Sequence, residues 1–379
     1  MIGKNALPQK DFSTPHTDTI YATSHSSEAS VIFTGSLDRV LLGKDNNAGV
    51  EACMLIKFYS WPDSLVGAYI TSASISLKTV YHFGDSTGIL SFNMYSATGN
   101  WTGDSIAYND SLFNYPTNYY NPSNPIAATA LTSFDDSSWI SINVPDTATL
   151  TRWFITSADS DNNFGLIFVP TNNSMIKGFY SFNSTDTVYP QLAVQYKKAN
   201  GDTGTYIHAV GVAKYLTRAN PALKSKFSIP NDSLSYIQNG IAYRSTFHFD
   251  SINNHFPSTI LLHSAVIEVT LDPSSSFFNV NHAYLTDSLF AYFALSDSTV
   301  NSSSITLSTT YTNAQNQHVY RFSVNSYAQT WLKTPSLIKK IYIAGYNESL
   351  SFDRFALYGN NAALVSERPR LIITYSTSK

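Results

Sequence analysis

Few residues in this chain are spaced for chemistry. Gly84-Asp85-Ser86 and Gly103-Asp104-Ser105 each place a serine beside an acid, as some esterase nucleophiles do. Such a serine needs a buried strand before it and an Asp/His pair later in the chain. The last histidine is His318, and no Asp-x-x-His occurs, so both segments read as turns. His248, His255 and His263 form the densest histidine run, but Pro257 interrupts any strand that would set two of them on one face. Asp159-Ser160-Asp161-Asn162-Asn163 puts oxygen ligands at alternate positions, as calcium loops do, without the downstream bidentate Glu of an EF-hand. Two readings stand there: a solvated hairpin turn, or a structural calcium site on Asp159, Asp161 and Asn163.

The densest group of rings and amides is Phe113-Asn114-Tyr115-Pro116-Thr117-Asn118-Tyr119-Tyr120-Asn121-Pro122. Proline and asparagine break it too often for a strand. A ring can cover the apolar face of a sugar while neighbouring amides take its hydroxyls, so Tyr115, Asn118, Tyr119, Tyr120 and Asn121 are candidate ligand contacts, with Trp101 at the rim. The alternative is an Ω-loop pinned to the fold by its own rings.

These loops must hang on strands. Ala73, Ile75 and Leu77 alternate with serines, Ile140, Ile142 and Val144 with polar residues, and Tyr320, Phe322 and Val324 with Arg321 and Ser323. That period of two marks strands with one face in a core. Short helical turns precede two tryptophans. Asp146 caps a turn carrying Leu150 and Trp153, and Asn325 or Ser326 caps one carrying Tyr327 and Trp331. Both tryptophans are expected in a core.

The pattern occurs twice. Gly49 lies nine residues before Phe58, and Gly240 nine before Phe249. Ser72-Ala73-Ser74-Ile75 is matched by Ser264-Ala265-Val266-Ile267. Trp153 precedes the terminal strand Pro190–Tyr196 by 37 residues, and Trp331 precedes Pro369–Tyr375 by 38. The polar stretch 197–204 then reads as a linker. Domains are expected at 1–198, with an N-terminal arm, and 205–379. The fold class is all-β, two tandem antiparallel sandwiches of jelly-roll type.

Totals bound the function. The 379 residues are 43% hydrophobic and 14% aromatic but only 13% charged, with a net charge of −3. That composition folds. It lacks the basic footprint of a nucleic-acid binder, and no apolar run is long enough for a transmembrane helix. The single cysteine, Cys53, lies in the apolar run Ala52-Cys53-Met54-Leu55-Ile56 and reads as a buried hydrophobe. The opening residues lack the apolar core of a signal peptide. The Ser/Thr/Asn/Tyr-rich composition favours a mature or trimmed extracellular form over an internal protein.

The order Leu41-Leu42-Gly43, Leu55-Ile56-Lys57-Phe58, Ser72–Leu77, Trp101-Thr102, Ser105–Asn109, Trp153, Asn163-Phe164-Gly165-Leu166 and Tyr189–Tyr196 resembles the DNRLRE domain family of secreted bacterial and archaeal proteins. The second half follows it more loosely, to Arg368-Pro369-Arg370-Leu371. The opening Ile2-Gly3-Lys4-Asn5-Ala6-Leu7-Pro8, with Asp18-Thr19 and Leu41-Leu42-Gly43, is similar to a Gram-negative surface-lipoprotein family of unknown function, although the lipidated cysteine is absent. The resemblances imply an extracellular β-sandwich, some of whose relatives bind polysaccharide. The expectation is a non-catalytic cell-surface module without a required cofactor. Its partner is a polysaccharide, in binding or adhesion; alternatively it is a structural subunit or spacer of a surface assembly.

Overall fold

The computed structural model describes residues 13–30, 37–59, 62–99, 101, 119–131, 135, 137–155, 163–181, 188–227, 233–257, 259–277, 288–296, 299–346 and 348–377. The fold is all-β, and every strand pairing in it is antiparallel. Two compact units divide the chain. The first comprises Val31–Lys224 and Ser349–Phe352; the second comprises Met1–Ser30, Ser225–Glu348 and Asp353–Lys379.

In chain order, an N-terminal arm of two strands, β1 (His16–Tyr21) and β2 (Ser24–Ala29), comes first. The first unit then supplies β3 (Arg39–Asp45), β4 (Val50–Lys57), β5 (Tyr69–Gly84), β6 (Leu90–Ser96), β7 (Ala127–Leu131) and β8 (Trp139–Asn143). Helix α1 (Thr147–Ile155) follows, then β9 (Leu166–Pro170), β10 (Ser174–Tyr180), β11 (Gln191–Lys197), β12 (Thr203–Ala209) and β13 (Val212–Ala219). Helix α2 (Pro221–Phe227) leads to β14 (Leu234–Gln238), β15 (Tyr243–His248), α3 (Ile252–His255), β16 (Leu261–Thr270), β17 (Leu289–Ser296), β18 (Thr299–Leu307), β19 (Thr309–Thr312) and β20 (His318–Ser323). Helix α4 (Asn325–Lys333), β21 (Lys340–Gly345), β22 (Arg354–Tyr358) and β23 (Arg370–Ser376) complete the chain.

The long β5 joins the sheets of the first unit. Tyr69 to Ser76 pair with β11 and Ser74 to Lys78 with β8, whereas Thr79 to Gly84 pair with β10. In the second unit one sheet runs β1-β23-β16-β20-β19 and the other β18-β17-β21-β15-β14-β22, with β2 also on β15. One core draws Ile267, Phe322 and Leu371 from the first of these and Phe247, Phe293, Ile343 and Phe355 from the second, a sandwich-like arrangement. The period-two residues supply it because alternate side chains along a strand face the same way.

The two tryptophans are buried, Trp153 at 2% exposure and Trp331 at 3%. Asp146 caps α1 through the Thr149 amide. At α4 the expected cap is not made. Val324 occupies the N-cap, and the Asn325 Oδ1 instead accepts the Ala265 amide of β16, tying helix to sheet.

One set of pairings recurs. β5–β11, β5–β8, β10–β3, β4–β9, β6–β9 and β6–β7 are matched by β16–β23, β16–β20, β22–β14, β15–β21, β17–β21 and β17–β18. So are the edges: β12 and β13 lie on β11 and β4, and β1 and β2 lie on β23 and β15.

The division of the chain therefore differs from the expected 1–198 and 205–379. The stretch read as a linker is a hairpin turn between β11 and β12, closed by the Lys198 amide on the Asp202 carbonyl, with Gly201 at φ +94°. β12 and β13 stay with the first unit, and the N-terminal arm joins the second. Polar, glycine-containing stretches serve hairpin turns and linkers alike.

Candidate functional site

A cleft of about 540 Å³ lies in the first unit, where several segments linking its strands meet. One is the exit of β6. The Ala97 amide donates to the Gly165 carbonyl at 2.9 Å and the Thr98 amide to the Tyr119 carbonyl at 2.6 Å. The second is the turn before β7. Asn121 Oδ1 accepts the Ser123 amide at 3.0 Å, the Asn124 amide donates to the Asn121 carbonyl at 3.1 Å, and the Ile126 amide donates to Met94 at 2.8 Å. Asn-Pro-Ser-Asn-Pro favours this, since asparagine closes such turns with its own side chain.

The third wall is the start of α1. Asp146 accepts the Thr149 amide at 3.0 Å and the Thr149 hydroxyl at 2.6 Å. Arg152 Nη2 in turn donates to Thr149 Oγ1 at 2.6 Å. The capping contact thus orients a guanidinium one helical turn further on. The polar lining is Ser96, Thr98, Asn121, Asn124, Asp146, Thr149 and Arg152; the apolar lining is Ala97, Ile126, Trp153 and Phe164. Phe164 is held there by its neighbours. Asn163 donates from Nδ2 to the Phe58 carbonyl and accepts the Gly165 amide on Oδ1. Gly165 sits at φ +84°, where a Cβ would meet the Ile56 carbonyl oxygen at 2.3 Å, so only glycine fits this corner.

The expected contact residues divide. Asn121 is exposed and lines the cleft. Trp101 is 1% exposed and Tyr120 7%, so neither presents a surface. Both belong to a cluster with Leu55, Tyr95, Ala97, Ile167 and Leu216; Tyr119 packs half-buried against it. The reason is local satisfaction. The Trp101 indole N–H donates to the Phe164 carbonyl, and Tyr120 packs against Tyr95 with ring centres 4.2 Å apart and planes tilted by 40°. Burying such rings is favourable once their polar atoms have partners. Tyr115 and Asn118 lie outside the described residues, as do Asp159 and Asp161 of the candidate calcium loop. Asn163, the third member, is buried, with both ends of its carboxamide engaged as above. Among the described residues no group of three or more His, Cys, Asp or Glu could hold a metal ion, and no helix is long and apolar enough to cross a membrane.

Arg152, Thr149, Asn124 and Phe164 are site residues that sequence reasoning did not single out as contacts. Asp146 was legible as a cap, and Thr149 and Arg152 follow it at three-residue steps on one helix face. Gly84-Asp85-Ser86-Thr87-Gly88 fits the letters of a nucleophile elbow, but it forms the turn between β5 and β6, without the following helix. Asp85 Oδ1 there accepts both the amide and the hydroxyl of Thr87. Cys53 is 1% exposed in β4, and burial pushes its thiol far above the usual range.

No family model and no curated protein matches the chain. Solved structures with some similarity include that of the Macrobrachium rosenbergii nodavirus, at 10% identity over 99% of this chain and 93% of that one, with a TM-score of 0.15. The infectious bursal disease virus Gt strain gives 8% identity over 99% and 80%, with a TM-score of 0.13. T=1 particles derived from infectious bursal virus give 9% over 99% and 76%, with a TM-score of 0.14. Scores at this level do not indicate a shared fold.

Proposed function

We propose that the protein is a non-catalytic extracellular module that binds polysaccharide at the outer cell surface through the cleft of its first unit. One observation carries this reading. Asn121, Asn124, Thr98, Ser96 and Arg152, with amide, hydroxyl and guanidinium groups, line one cleft together with the apolar Ile126 and Phe164. A glycan needs both, hydrogen-bond partners for its hydroxyls and an apolar surface for its C–H faces. Arg152 supplies guanidinium donors and Asp146 a carboxylate acceptor to the same lining, and sugar hydroxyls can use both.

A glycan array followed by calorimetry tests the reading. Arg152→Ala and the double variant Asn121→Ala/Asn124→Ala should each weaken binding about tenfold, the loss of one or two net hydrogen bonds, when compared at matched folded fraction. An array on which the folded protein binds nothing, or binding indifferent to these variants, would overturn it. Incubation with any bound glycan should release no reducing ends. A second reading, a structural subunit of a surface assembly, is favoured by the edge position of the N-terminal arm.

A further inference from the structure

We propose that the arm β1–β2 is an exchangeable strand donor, seated on β23 and β15 of a second copy of this chain when copies join head to tail. The seat is built from main-chain ladders. His16 to Tyr21 pair residue for residue with Tyr375 to Arg370, and Ser24 to Ala29 with His248 to Tyr243. Between them the chain crosses from one sheet to the other in two residues. The Ala22 amide donates to the Pro369 carbonyl and the Thr23 amide to the His248 carbonyl. The other arm makes the same crossing, with the Val210 amide on the Pro190 carbonyl and the Gly211 amide on the Lys57 carbonyl. The two are equivalent pieces on equivalent seats.

Their order in the chain differs. β12–β13 follows directly on the block it completes. β1–β2 precedes both blocks in the chain yet completes the later of them, where the Ser13 amide donates to the Thr377 carbonyl. It sits as though it continued from β23. A strand seat filled through the backbone is indifferent to which identical chain supplies the strand.

The hold is also the kind that permits exchange. Of this arm only Ile20 and Ala22 enter the apolar core, whereas Val210, Ala213, Tyr215, Leu216 and Ala219 of the other arm are buried. Polar pairs supply the rest. Thr17 meets Thr374 at 3.0 Å, the Tyr375 hydroxyl donates to Asp18 at 2.8 Å, and Lys340 Nζ lies 2.8 Å from Glu28. Identical copies restore all of these. Lys340 also lies 4.4 Å from the centre of the Tyr342 ring, so Glu28 is one of the partners that hold its ammonium.

Full-length Thr17→Cys and Thr374→Cys chains, mixed at high concentration and oxidised, test this; the native thiol, Cys53, is buried. The expected product is a disulfide-linked pair of one chain of each kind, absent when either variant is oxidised alone. Thr17→Cys mixed with Ser141→Cys, an exposed position on β8 away from the seat, should give none. Monomers throughout the first mixture, together with closure of the Thr17→Cys/Thr374→Cys double variant within single chains only, would overturn the proposal. Equal yields from seat and control pairs would do the same. Full-length Glu28→Lys and Lys340→Glu give an independent readout: neither matches its own seat, and each matches the other's. Sedimentation of the mixture should show dimers that neither variant forms alone; a mixture that remains monomeric counts against exchange.

Discussion

Trp153 and Trp331 occupy the same place in two copies of one pattern, on a helix of nine residues that follows a strand paired to the long central one. Trp331 packs against Phe293 with ring centres 5.9 Å apart, and its carbonyl accepts Asn253 Nδ2 at 2.9 Å. Truncating a buried indole removes its transfer free energy and leaves a void, which costs about 3–5 kcal/mol. Trp331→Ala and Trp153→Ala should each lose that much in denaturant unfolding; a loss under about 1 kcal/mol would mean that the surroundings collapse into the space. The residue scale also separates legible from illegible chemistry. Asp146 was readable as a cap because capping is local, whereas the direction it gives Arg152 depends on Thr149 lying between them. Trp101 and Tyr120 were misplaced because a ring beside amides has the same composition on a surface and in a core. Whether its polar atom finds a carbonyl is decided by segments far away in sequence, here Phe164.

At the scale of elements, the arms are the least legible parts of the molecule. β2 reads Ser-His-Ser-Ser-Glu-Ala, with no strand signature, and its partners lie more than two hundred residues away. Edge strands held by the backbone need no apolar alternation. Their electrostatics predict how they respond to acid. Burial lowers the pKa of His208 on β12, against a hydrogen bond to the Tyr59 carbonyl that raises it, and the net value falls below the ordinary 6.5. A depressed value means that the stability His208 contributes is present above pH 6.5 and is lost as pH falls through the folded value. Burial raises Glu28 on β2, but Lys340 and Ser26 outweigh it and hold the carboxyl below the ordinary 4.5. Its contribution persists to lower pH and is lost only as pH falls from about 4.5. Amide hydrogen exchange at pH 7, 5.5 and 4 should therefore show β12 loosening before β2; the opposite order would refute the assignment.

At the scale of the whole chain, Cys53 reports on integrity. It is the single cysteine, 1% exposed in β4 of the first unit, with a thiol that burial keeps protonated. Thiolate is the reactive form, so a thiol reagent should label the native protein negligibly at pH 8. The labelled fraction should then rise along the denaturant unfolding curve; rapid native labelling would show that β4 opens locally.

By itself the sequence determined the all-β class, the strand faces, the two tryptophans in a core and the recurrence of Gly-to-Phe, Ser-Ala and Trp-to-Pro spacings. Each of these is written in side-chain period or short-range spacing, which burial enforces wherever the strand lies. Only the tertiary structure decided that 198–202 is a turn rather than a junction and that β12–β13 closes the block before it. It alone placed β1–β2 at the other end of the chain and gathered Ser96, Asn121, Arg152 and Phe164 around one cleft. Those outcomes rest on main-chain hydrogen bonds and on the meeting of distant loops. Backbone groups are alike at nearly every residue, so the sequence carries little record of which pair will form.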